Sequence, residues 1–209
     1  MSRACHTGGE SLPNLDRPLN RHRDDLGVTT LQHVELGVLG PLQVRQHGLP
    51  VAVPGAKPRA ILTMLGLHGG AVVSADTLAE LLWGARPPRT AAKALQTHIS
   101  SLRRALGDGF VLTEGSGWTL NTTDIDAIRY RLAARLGRES IASGDATQAV
   151  ARFDEALTLW RGIPELPDGP RATSEKTRWI EGHAALVEDR ADALLATGRA
   201  AEILSLIHI

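Results

Sequence analysis

At Asp124 the sequence changes its periodicity. Upstream, short β-rich runs flank three successive helical patterns; downstream, only helical patterns follow. A chain that switches in this way divides into a small mixed unit and an all-α unit, rather than one sheet protein or one long bundle. The length of 209 residues leaves room for one or two ordinary domains, and 43% hydrophobic with 22% charged residues is enough apolar content to build their cores. Mostly α with small β elements is therefore the expected class.

The mixed unit spans 34–124. It opens on strands at 34–40 and 42–44, turns at His47-Gly48, and continues with a short strand at 50–53. Lys57-Pro58 leads into a first helix that stops at Gly69-Gly70. Val72-Val73 precede Ser74, an expected N-cap, after which Leu78, Leu81 and Leu82 recur at helical spacing until Gly84. Pro87-Pro88 forbid continuation, Thr90 is placed to cap the next helix, and Leu95, Ile99, Leu102 and Leu106 form one stripe ending at Gly107. Strands at 110–113 and 118–121 then flank a hairpin loop. Trp83 is expected in the core and Trp118 in hairpin packing.

Downstream, helices are expected at 125–143, 146–160 and 173–197. Gly144-Asp145, Ala149, Phe153, Ala156, Leu157 and Leu159 stand at the spacing of the second helix of a tetratricopeptide unit. The next comparable turn, Gly198, comes later than a period of about 34 residues allows, because a Pro/Gly loop around Pro164, Pro167 and Pro170 intervenes. Residues 1–33 lack apolar periodicity and their charges cancel, so they read as a disordered arm. Residues 204–209 leave the helical pattern and read as a non-native tail.

Several function classes find no nucleus here. The sequence contains no Walker A loop, G-x-G-x-x-G, G-x-S-x-G or H-E-x-x-H pattern, so the expectation is a non-enzyme. The eight histidines are scattered without metal-ligand spacing, and Cys5 has no disulfide partner. No metal or other cofactor is expected. No run approaches the roughly 18 apolar residues of a membrane span, and the basic N-terminus lacks the apolar stretch of a secretory signal. A cytoplasmic protein without membrane contact is expected.

Charge placement says more than the net charge of zero. Between Leu81 and Gly107 stand Arg86, Arg89, Lys93, Arg103 and Arg104 with no acidic residue. On the third helix the apolar stripe leaves Lys93, Thr97, Ser100, Ser101 and Arg104 facing outward. A basic, hydroxyl-rich face without carboxylates suits double-stranded DNA, whose phosphates attract it and whose major groove admits it. With the preceding short helix, the Pro-containing turn and the following hairpin, these are the parts of a winged helix-turn-helix.

These parts occur in a specific order. Leu39-Gly40-Pro41-Leu42 with Val44, Lys57-Pro58-Arg59-Ala60-Ile61-Leu62, Val72-Val73-Ser74 with Leu82-Trp83-Gly84, Ala94-Leu95-Gln96, Leu102-Arg103-Arg104-Ala105-Leu106-Gly107, and Leu159-Trp160-Arg161-Gly162 follow one another. Across 34–202 the chain resembles the Streptomyces antibiotic regulatory protein (SARP) family. Members join an OmpR-type winged helix to a bacterial transcriptional activation domain, here 34–124 and 125–203, the latter tetratricopeptide-like. The family's activation domain runs on for several more helices, so a truncated domain is expected. The chain departs from the common pattern at Ser101, where a basic residue is usual, and at Trp118, where Tyr is usual.

The resemblance implies a transcriptional activator that binds direct-repeat DNA upstream of secondary-metabolite (antibiotic) genes, as a head-to-tail homodimer, and recruits RNA polymerase. It makes Ala91–Leu106 the recognition helix, with Lys93, Thr97, His98, Ser101 and Arg104 as groove contacts and Arg103 on phosphate. Arg89 and Thr90 would meet the DNA backbone at the helix start, and Gly115, Ser116 and Gly117 would form the wing loop. Two other readings fit the residues: a helical-repeat protein-interaction module whose winged helix is a scaffold, and the N-terminal portion of a larger signalling ATPase.

Overall fold

The computed structural model describes residues 34–199; the N-terminal arm and the tail expected above lie outside them. β1 (Val34–Gly37), β2 (Gln43–Gln46) and β3 (Leu49–Pro50) form an antiparallel sheet in which Val34 faces Gln46 and Gly37 faces Gln43. β1 is shorter than the expected 34–40. The N–H groups of Val38 and Leu39 leave the sheet direction and go to the Asp126 carboxylate instead. β3 likewise sits at Leu49–Pro50 rather than 50–53, its pairing ending just after Val51 N–H donates to the Val44 carbonyl.

α1 (Ala56–His68) is buried on almost all sides, from Ile61 to Leu67. It is the central helix, and all-round apolarity is what such a position demands. α2 (Ala75–Trp83) starts at the Ser74 cap, whose side chain accepts the Thr77 N–H at 3.1 Å. α3 (Ala91–Leu106) matches the expected span, burying Leu95, Ile99, Leu102 and Leu106. Thr90 makes no side-chain cap, contrary to expectation. Its backbone is already near-helical, away from the extended geometry that aims a capping hydroxyl, and Pro88 C=O takes the Ala91 N–H.

A second sheet has the order β4 (Val73–Ser74), β6 (Gly117–Leu120), β5 (Val111–Glu114), all antiparallel. β4 has no signature in the sequence, being two residues long. Trp118 is buried as expected, whereas Trp83 lies only part-buried at the core edge, with the Lys57 ammonium 5.0 Å over its ring.

α4 (Asp126–Ala142) and α5 (Ala146–Thr158) pack as a helical hairpin around Gly137 and Phe153. A Cβ at Gly137 would lie 2.3 Å from the Phe153 ring, so the close helix contact requires the missing side chain. α5 stops at Thr158 rather than 160. Leu159 and Trp160 tighten onto the Ala156 and Leu157 carbonyls, and the Arg161 N–H is then drawn to Leu39 C=O at 2.8 Å. α6 (Pro170–Ala196) starts three residues early because Pro170 occupies the first helical position, where its missing N–H is not needed.

The two units share one core. Leu36 bridges Ile125, and its N–H donates to Asp124 C=O at 2.9 Å. Buried Asp126 accepts the Val38 N–H on both oxygens, at 2.8 and 2.9 Å, accepts the Leu39 N–H at 3.0 Å, and pairs with the Arg161 guanidinium at 3.0 Å. Arg161 also donates to Pro41 C=O at 2.8 Å. On the other side of the junction, Arg131 donates to Leu67 C=O and lies over the Trp179 ring. Burial lowers its pKa to about 10, with Arg178 adding to that and Glu175 opposing it. The winged helix and the helical unit are thus bonded through buried polar groups as well as apolar contact. No described helix is long and apolar enough to cross a membrane.

Candidate nucleic-acid interface

The loop joining α2 to α3 is exposed from Ala85 to Thr90, so Arg86 and Arg89 project into solvent. Pro87-Pro88 stiffen it, and α3 departs from its end. The exposed arc of α3 covers Ala92, Lys93, Gln96, Thr97, Ser100 and Arg104. It is turned toward Ala92 and Gln96 relative to the expected arc. His98 and Ser101, expected at the front, lie half-buried on the opposite flank. Burial, with the Lys57 charge second, lowers the His98 pKa below its ordinary 6.5, so this ring is neutral at neutral pH.

Thr97 is exposed, but its hydroxyl donates to the Lys93 carbonyl at 3.0 Å, one turn back. Arg103, expected on phosphate, is engaged elsewhere. Its Nε donates to Val111 C=O at 2.9 Å and its Nη2 to the Thr113 hydroxyl at 2.8 Å, so it braces α3 against β5. Helical spacing sets Arg104, not Arg103, on the outward arc, but does not reveal that Arg103 is bonded to β5. One position turns a guanidinium from the exposed front to the hairpin. The side chains of Lys93, Gln96, Ser100 and Arg104 have no hydrogen-bond or ion-pair partner among the described residues. Beside them lies a shallow, open concavity lined by Ser100, Arg103, Arg104, Gly107 and Asp108.

The hairpin loop exposes Gly115 and Ser116. Ser116 C=O accepts the Ala75 N–H at 3.0 Å, which ties the loop to the start of α2. Gly117 is not a loop residue as expected. It is buried in β6 opposite both Glu114 and Ser74, and a Cβ there would lie 2.3 Å from Val73 O. Its role is the close approach of β4, and phosphate cannot reach it. Sequence reasoning missed Gln96 as a member of the exposed face; the signal was its spacing, one turn before Ser100.

The family model for the transcriptional regulatory protein C-terminal domain matches residues 54–117, and that for the bacterial transcriptional activator domain matches 125–208. Regulatory protein DnrI of Streptomyces peucetius is 32% identical over 82% of this chain and 68% of its own length. Transcriptional regulatory protein MoaR1 of Mycobacterium bovis is 34% identical over 88% of this chain and 63% of its own. Regulatory protein AfsR of Streptomyces coelicolor is 31% identical over 95% of this chain but only 20% of its own length, so the matched relatives extend well beyond this sequence. A solved structure of Mycobacterium tuberculosis EmbR with a low-affinity phosphopeptide superposes with a TM-score of 0.75 at 28% identity, covering 84% of this chain and 49% of that one. With the winged helix and the helical unit in the same order as in these relatives, the chain belongs to the SARP family of transcriptional regulators.

Proposed function

We propose that the chain is a DNA-binding transcriptional activator, not an enzyme, and that α3 enters the major groove of double-stranded DNA. The observation that carries this reading is the α3 front: Lys93, Gln96, Ser100 and Arg104 stand exposed and unpartnered, on a helix with no acidic residue. Charged and polar groups left without protein partners keep their full capacity for phosphates and base edges. Arg86 and Arg89 in the preceding loop, and Gly115 and Ser116 at the hairpin tip, flank that face as backbone contacts. Direct-repeat sites bound by head-to-tail copies, recruitment of RNA polymerase, a cytoplasmic location and control of secondary-metabolite genes complete the proposal, on the strength of the family.

Fluorescence anisotropy with DNA from upstream of the neighbouring genes, titrated with salt and competed with scrambled duplex, tests it. Binding is expected to be sequence-selective and to weaken steeply with salt. Lys93→Ala and Arg104→Ala should each weaken it, by roughly 1–3 kcal/mol for a base contact or by about one unit of salt slope for a phosphate contact. A folded protein without salt-dependent DNA binding would instead favour the protein-interaction module.

A further inference from the structure

α3 carries eight polar side chains, and the fold has already engaged or half-covered four of them. Arg103 is bonded to β5, and Thr97 to its own helix. His98 and Ser101 are half-covered on the far flank. Lys93, Gln96, Ser100 and Arg104 remain. Lys93 and Arg104 have donors only, and Ser100 has a single hydroxyl on a one-carbon stem. Gln96 alone holds a donor and an acceptor side by side at the end of a reaching side chain.

Its surroundings leave that amide room to work. Ala92 and Ser100, one turn before and one turn after, are small and exposed. Gln96 and Arg103 are two turns apart on the same line of the helix, and Arg103 holds the hairpin there. Gln96 therefore lies on the edge of the exposed arc that, two turns on, meets the hairpin. It also lies in the N-terminal half of α3, the part of such a helix that contacts base edges.

We infer that Gln96 is the adenine-reading residue of this protein, its side-chain amide donating to N7 and accepting from the N6 amino group of one adenine in the major groove. The inference rests on the proposed DNA binding. Lys93 and Arg104, a turn before and two turns after, supply charge that positions the helix without selecting this base pair.

The test is site selection from a randomised duplex pool with the full chain and with Gln96→Ala. Anisotropy then follows on the selected site, on the same site with the specified A·T pair changed to G·C, and on a site carrying an adenine analogue that lacks N7. The unaltered protein should prefer adenine at one position per half-site by roughly 5- to 150-fold, the discrimination of a good bidentate pair. It should lose that preference with the analogue. Gln96→Ala should accept any pair there, while keeping its selectivity at the other positions and its salt dependence. A uniform loss of affinity in Gln96→Ala, or an unchanged adenine preference, overturns the inference while leaving DNA binding intact. If neither protein selects any sequence, the DNA-binding reading itself fails and takes this one with it.

Discussion

Arg104 and Arg161 are the same side chain in opposite circumstances. Arg161 lies between the two units, donating to Asp126 and Pro41 C=O while its backbone N–H binds Leu39 C=O. Arg104 stands on the front of α3 without a partner among the described residues. The junction satisfies its polar groups internally, and the α3 front leaves them for something outside the chain. Buried Asp126 must be paired to be tolerated and so engages Arg161, whose side chain is still part-exposed, whereas the groups on the α3 front are paired by water until a ligand replaces it. What identifies an interface is thus not the presence of arginines but their lack of internal work.

The largest expected effect breaks the junction. Asp126→Ala strands the Val38 and Leu39 N–H groups and leaves Arg161 without its counter-charge, so it should cost about 3–5 kcal/mol in denaturant unfolding. If α3 is independent of the junction, any variant molecules that remain folded should keep their DNA affinity.

A smaller effect sharpens the contrast within α3. Arg103→Ala removes two hydrogen bonds to the hairpin and should lower stability by about 1–2 kcal/mol, whereas Arg104→Ala should stay within about 0.5 kcal/mol. Thermal unfolding of the two variants side by side checks this. Equal losses would mean that the neighbours are not divided between structure and binding.

The smallest effect concerns pH. Burial lowers the pKa of His98, on the covered flank of α3, and of His183, which stacks on Trp160 at 4.3 Å in the helical unit. Each ring favours the neutral form in the fold, so its contribution is complete above the ordinary value of 6.5 and is lost as pH falls through the depressed folded value. Glu165 adds a second decline below its ordinary 4.5, because the Arg59 hydrogen bond holds its carboxyl low. Melting temperature followed downward from neutrality should therefore fall in two stages. His98→Gln and His183→Gln should each flatten part of the upper stage, and their relative sizes tell which region sets it.

Much of the fold was legible because each helix declares itself locally. The stripe of Leu95, Ile99, Leu102 and Leu106 and the bounding Gly107 located α3 to the residue, and Ser74 marked the start of α2. The misjudged ends of β1 and α5 meet at the junction, where Asp126 takes the Val38 and Leu39 N–H groups and Leu39 C=O takes that of Arg161. Leu39-Gly40-Pro41-Leu42 and Trp160-Arg161-Gly162, distant in sequence, bond to one another, and those bonds pull the chain off its local course. β4 was invisible because two residues carry no periodicity, and its existence depends on Gly117 letting it approach.

The sequence by itself determined the class, the order of the elements apart from β4, the family and the acid-free basic character of the α3 region, because apolar period, breakers and charge are properties of neighbouring residues. Tertiary structure decided the edges of the outward face, which spacing had already centred on Lys93, Thr97, Ser100 and Arg104. It withdrew Arg103 and Gly117 into the hairpin, half-covered His98 and Ser101, and brought Gln96 to the front. A helix turns by about 100° per residue, so one apolar stripe fixes the centre of the outward face but not how far its edges extend. The hairpin and α1 settle the choice, and no local pattern in α3 records where they pack.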